Sequence, residues 1–153
     1  MELFRISQTP YSKELTASGR PYRWNKNGQF ILYTGSSRSL STLELVVHRK
    51  SIKPKDDYKV MVISVTDEEH LIRQIQIKEL PLNWRLPEAY IALQAIGSSW
   101  YEKQECLILK VPSAVIVREY NYLINTRHPD FNKNVQLVRT EDYFWDSRLL
   151  KLD

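Results

Sequence analysis

Residues 19–48 read GRPYRWNKNGQFILYTGSSRSLSTLELVVH, and they pass from loop to strand to turn to helix within one stretch. Residues 30–34 (FILYT) form a short apolar run rich in strand formers, and Gly35-Ser36-Ser37 supplies the break that ends it. The spacing predicts a helix next. Ser37 or Ser39 suits its N-cap, and Leu40, Leu43 and Val47 recur at i, i+3 and i+7 as one buried stripe. Glu44 falls at i+4 on the same stripe. A carboxylate aimed at the apolar side needs a partner or a function, because an unpaired buried charge costs several kcal/mol or forces its pKa upward.

Working outward, residues 3–6 read as a first strand, residues 58–65 (YKVMVISV) as a second and residues 71–77 as a third, with a polar loop over residues 51–57. Residues 80–84 read as irregular. Pro87 suits the first turn of a second helix, in which Ala89, Ala92, Leu93 and Ile96 make an apolar stripe closed by Gly97. Residues 106–111 (CLILKV) read as a buried strand interrupted at Pro112-Ser113, with strand character continuing over residues 114–117. Tyr120 and Tyr122 are expected to pack. Residues 135–138 alternate weakly, and Tyr143-Phe144-Trp145 is aromatic enough for an edge or a plug. Asn125, His128 and Asp130 suit turns and caps. The expectation is an α+β fold, a single domain over residues 1–153 with several strands and two main helices.

Composition narrows the function classes. Hydrophobic residues at 42% and charged residues at 26% suit a globular chain, and no apolar run approaches the roughly 20 residues of a membrane helix. The segment MELFRISQTPYSKEL has no apolar h-region, so a cytoplasmic location is expected. Cys106 is the only cysteine, and His48, His70 and His128 have no zinc-site spacing, so neither a disulfide framework nor a metal is expected. The net charge of +4 and pI near 9.1 suit a protein that meets phosphates or an acidic partner. Even so, 18 acidic residues are mixed among the 22 basic ones. Basic pairs at Arg49-Lys50 and Lys53-Lys55 lack the interleaved aromatics of a single-strand groove. The four glycines make neither GxGxxG nor GxxxxGK[ST], and there is no GxSxG.

What remains is a set of arginines, tyrosines and serines around one misplaced glutamate. Phe4-Arg5-Ile6, Arg23-Trp24-Asn25 with Gly28, Tyr33-Thr34, Leu43-Glu44, Val111-Pro112-Ser113 and residues 125–128, in that order and over nearly the whole chain, resemble the RES domain. The chain departs from the family at Pro21-Tyr22, where a small or glycine pair is usual, and at Thr126, where proline is usual. The resemblance implies an ADP-ribosyltransferase-like fold with a mixed β-sheet core and flanking helices. It implies the toxin of a toxin–antitoxin pair that degrades NAD by hydrolysis or phosphorolysis, with NAD as substrate and no cofactor. It further implies an Xre-type antitoxin that blocks the active site and carries the only contact with DNA, no membrane partner, and a homodimer within the complex as one arrangement.

The chemistry of these residues agrees with that implication. Nicotinamide leaves NAD as a neutral base, so no general acid is needed, and the difficulty lies in the oxocarbenium-like sugar. Glu44 can stabilise that cation or hold a ribose hydroxyl. Arg5 and Arg23 suit the pyrophosphate, Tyr33 offers a ring face to nicotinamide, and Ser113 offers a hydroxyl to substrate or to Glu44. Trp24, Asn25, Ser36, Asn125 and His128 complete the expected substrate-binding set. Each also has a structural reading: Glu44 pairing with His48 or Arg23, Tyr33 in the core, Ser113 bonding its own turn, Arg23 stacked on Trp24. Alternatives are a mono-ADP-ribosyltransferase acting on a protein, a nucleic-acid-binding or ribonuclease toxin, and a non-catalytic module using exposed Trp84, Trp100 or Trp145.

Overall fold

A computed structural model describes residues 1–48 and 57–150 of the chain. The basic pairs at residues 49–50 and 53–55, and all but the end of the expected loop at 51–57, lie outside the described residues. Among the described residues, seven strands join one mixed sheet in the order β4-β5-β6-β2-β1-β3-β7. They are β1 (Glu2–Gln8), β2 (Ile31–Gly35), β3 (Tyr58–Val65), β4 (Ile72–Gln74), β5 (Ile108–Pro112), β6 (Tyr120–Asn125) and β7 (Val135–Asp142). All pairs are antiparallel except β4 with β5. The helices are α1 (Arg38–His48), α2 (Tyr90–Lys103) and the short α3 (Phe131–Asn134). The expected α+β architecture is therefore present.

Register divides the residues between two faces, because paired residues point the same way and neighbours along a strand point oppositely. Phe4 pairs with Gly35, Gly35 with Asn121 and Asn121 with Val111, which puts all four on one face. That face carries Phe4, Ile6, Val60 and Val62 on one side and Ile31, Tyr33, Leu109, Val111 and Leu123 on the other. Helix α1 covers the first group through Leu45, and Leu93 and Trp100 of α2 pack with the second. The opposite face holds Leu3, Leu32, Met61, Ile63, Ile108 and Ile124, packed against Leu15, Ala17 and Phe131. Burying such a face at about 25 cal/mol per Å² is the main stabilising term.

Several elements differ from expectation, each for a local reason. The strand expected at 71–77 shrinks to three residues between two 3₁₀ turns, and Ile77 is exposed. Residues 114–117 form a turn instead of a strand, since the Ser113 hydroxyl accepts the Val115 and Ile116 N–H groups at 3.1 and 3.0 Å. Strand β6, with its inward Asn121 and Asn125, carries no apolar alternation and was not anticipated. In α1 the sheet-facing positions are Leu40, Ser41 and Leu45, while Val47 is exposed. The Ser41 hydroxyl is accommodated by donating to Phe4 O at 2.9 Å. Ser37, not Ser39, caps the helix by accepting the Leu40 N–H at 3.0 Å. Trp84 and Trp100 belong to the core and Trp145 packs edge-on to Tyr58, which removes the expected exposed-tryptophan surface.

Gly97 does not end α2; it lies inside the helix, which stops at Gln104 in the left-handed conformation (φ 51°). The reason is contact, because a Cβ at residue 97 would stand 1.8 Å from the carbonyl oxygen of Trp24. Elsewhere in a helix, alanine for glycine gains about 1 kcal/mol. Here the sign reverses: Gly97→Ala is expected to lose about 1–3 kcal/mol by overpacking. Urea unfolding measures this, and an unchanged or raised midpoint would show that the Trp24 loop yields freely.

Candidate active site

Glu44 lies in the middle of α1, and three groups meet its carboxylate. Its Oε1 accepts from the Ser113 hydroxyl at 2.8 Å and from Asn121 Nδ2 at 2.5 Å, while Oε2 lies 3.2 Å from His48 Nε2, one helical turn on. The Ser113 hydroxyl already accepts two backbone N–H groups from its own turn. Its single proton therefore has one direction left, toward Glu44. Asn121 reaches the same oxygen because β6 lies two strands from β1, on the face that α1 crosses, and Gly35 between them adds no side chain.

The electrostatics follow from burial and partners. The Glu44 side chain is only 18% exposed. Burial pushes its carboxyl up, but the hydrogen bonds from His48, Asn121 and Ser113 outweigh that and hold it below the range of an ordinary glutamate. An ionised carboxylate thus stands on the inner side of a helix. One oxygen is fully engaged, and the other is turned toward a half-exposed histidine.

The loop over residues 20–29 builds the adjoining wall. Asn25 is buried, with Nδ2 donating to Arg20 O and Lys26 O at 2.9 Å each, and Oδ1 accepting from the Tyr33 hydroxyl at 2.7 Å. The same hydroxyl accepts the Trp24 N–H at 3.2 Å. Burial pushes the Tyr33 phenol far up, so it stays a neutral hydrogen-bonding group. Tyr22, half exposed, meets the Tyr33 ring edge-on at 5.4 Å. Arg23 donates Nη1 to Trp84 O at 2.8 Å and Nη2 to Arg85 O at 3.2 Å, and its guanidinium stacks over Tyr90 at 4.7 Å. Arg85 in turn donates Nε to Ala114 O at 3.0 Å, next to Ser113. A continuous chain of contacts therefore runs from Tyr33 and Arg23 to Ser113 and Glu44.

Comparison with known proteins bears on this arrangement. A family model of the RES domain matches residues 2–146. The chain belongs to the RES domain family. It is 30% identical over 155 residues to a protein named Toxin Res from Photorhabdus laumondii, covering 99% of this chain and 98% of that one. It is 33% identical over 130 residues to the Prs ADP-ribosylating toxin of a Sphingobium species, covering 84% and 80%. A Toxin Res from Yersinia enterocolitica is 33% identical over 127 residues, covering 83% and 82%. The fold is similar to a chain in the crystal structure of the M. tuberculosis MbcT-MbcA toxin-antitoxin complex, with a TM-score of 0.70 at 15% identity over 93% of this chain and 83% of that one.

Within this RES domain, Glu44, Ser113, Tyr33 and Arg23 lie on one side of the sheet, joined by the contacts above. Other members of that set do not join them. Arg5 pairs with Met61 and lies on the opposite face, where its Nη1 donates to Thr16 O at 3.5 Å. Trp24 is core under α2, and Asn25 spends its amide on the loop. Ser36 is exposed at the turn before α1. Asn125 lies four residues along β6 from Asn121, about 13 Å at the usual strand rise. Its amide bonds Tyr101 O and Arg127 N. His128 places Nε2 at 2.8 Å from Gln104 O and Nδ1 at 3.1 Å from the Asp130 N–H, which ties down the end of α2. Asn121 and Arg85 were missed. Asn121 sat between two tyrosines expected only to pack, and its signal was a polar residue alternating inward. Arg85 had no spacing signal.

A carboxyl whose folded pKa is depressed stabilises the protein above its unfolded pKa, and that stabilisation is lost as pH falls through the folded value. The stability difference between wild type and Glu44→Gln should therefore shrink on acidification from about pH 4.3 downward. Urea midpoints taken from pH 7 to pH 3 give this difference; one that stays constant would contradict an ionised, donor-held Glu44.

Proposed function

We propose that this RES domain is the toxin of a toxin–antitoxin pair and that it cleaves the bond between nicotinamide and ribose in NAD. The observation that supports this most is the Glu44 carboxylate, ionised, oriented by two donors on Oε1 and with Oε2 turned toward the half-exposed His48. As nicotinamide departs with the bonding electron pair, positive charge grows on the ribosyl carbon and ring oxygen. A fixed carboxylate stabilises that charge without reorganising at the moment of reaction. Water adding at the same carbon yields ADP-ribose and a proton, and inorganic phosphate yields the phosphorylated sugar. Tyr22 and Tyr33 supply aromatic surface beside the site, and Ser113 keeps its proton on Glu44 throughout.

A second reading shares the bond-breaking step and changes the acceptor. The Sphingobium relative is named for ADP-ribosylation, so a nucleophilic side chain of a target protein could take the place of water. In either reading an antitoxin covers Glu44 until it is released, as the toxin–antitoxin relatives suggest.

Purified protein free of any partner should release nicotinamide from NAD, measured by chromatography with and without inorganic phosphate. Glu44→Gln should lower the rate about 10²- to 10³-fold, the cost of losing one preorganised electrostatic group, with the circular-dichroism spectrum retained. Free ADP-ribose, its phosphorylated form or label on protein distinguishes the acceptors. Absence of nicotinamide release under both conditions overturns the proposal.

A further inference from the structure

Arg23 was expected, together with Arg5, to hold the substrate's pyrophosphate, yet it is largely committed within the protein. Both terminal nitrogens donate to main-chain carbonyls, and the plane lies on Tyr90. Those carbonyls belong to Trp84 and Arg85, so the effect of Arg23 is to hold the turn over residues 84–86 against the site. Arg85 is differently placed. It is exposed, and among the described residues its side chain bonds through Nε to Ala114 O at 3.0 Å. That bond uses the inner edge of the guanidinium and leaves the two terminal amino groups as an open fork. Ala114 directly follows Ser113, whose hydroxyl is on Glu44.

We infer that Arg85 is the phosphate-binding residue of this site and grips the diphosphate of a dinucleotide, an inference that rests on the NAD reading above. Two terminal N–H groups in one plane match two oxygens of a phosphate, and a guanidinium remains charged at any physiological pH. In NAD the diphosphate stands only a few bonds from the ribosyl carbon, and Arg85 bonds the residue that follows Ser113, whose hydroxyl holds Glu44. Anchoring by Nε restricts the side chain before ligand arrives, so less rotamer freedom is lost on binding. Arg23 then acts as a positioning residue, since it sets the turn that carries Arg85.

The test is steady-state NAD cleavage by wild type, Arg85→Gln and Arg85→Lys. Loss of a charge-assisted contact to phosphate should raise KM for NAD about tenfold or more in Arg85→Gln while kcat stays within about twofold. Arg85→Lys, which keeps the charge but not the fork, should recover part of that loss. A KM unchanged in Arg85→Gln overturns the inference. So does a fall in kcat at constant KM, which would mean that Arg85 only holds the Ala114 turn and through it Glu44. Wild type that fails to cleave NAD overturns the underlying reading as well, whereas wild type that cleaves beside an unaffected Arg85→Gln overturns this inference alone.

Discussion

A carboxylate on the sheet side of a helix is the constraint around which this structure is arranged. Removing Glu44 from water without partners would cost more than most single residues contribute to a fold. Donors must therefore come from whatever lies across from α1. The sheet supplies one from a strand interior, Asn121, and one from a broken strand end, Ser113. Both are small and stiffly mounted, one by pairing on both sides and the other by its own turn. That mounting keeps the charge oriented instead of solvated.

The same logic recurs in the loop over residues 20–29. A loop without regular pairing must find partners for its backbone polar groups. Asn25 does this from within, while Gln29 Oε1 accepts the Lys26 N–H at 2.9 Å and the Ser98 hydroxyl at 2.9 Å. Polar side chains are thus buried as internal struts, and Arg23 is held out toward residues 84–85 by the rigidity behind it. The wall and the carboxylate are built separately and meet across Ala114.

How much of this was legible in the sequence depends on whether a residue's neighbours announced its burial. Residues 58–65 are mostly β-branched or apolar on both faces, and β3 was read with its observed bounds. The misplacement of Glu44 pointed to its site because charge on an apolar stripe is conspicuous. Strand β6 failed the same reading for a related reason: Asn121 and Asn125 replace inward apolar residues, so the substitution that equips the strand for polar contacts also erased its pattern. Gly97 looked like a stop because its need for glycine arises from Trp24, more than seventy residues earlier. Arg5 matched a motif yet faces away from Glu44, since one step along a strand changes sides and a motif does not record the step.

The contact between Gly97 and the Trp24 carbonyl has an evolutionary consequence. A helix interior ordinarily drifts away from glycine, because nearly any replacement there improves propensity. At residue 97 that drift is blocked by a backbone atom, which cannot be traded for a smaller one. Position 97 and the course of the Arg23-Trp24-Asn25 loop are then free to change only together. A chain whose loop is seated on α2 in this way therefore needs glycine at this point, whatever the loop's own letters.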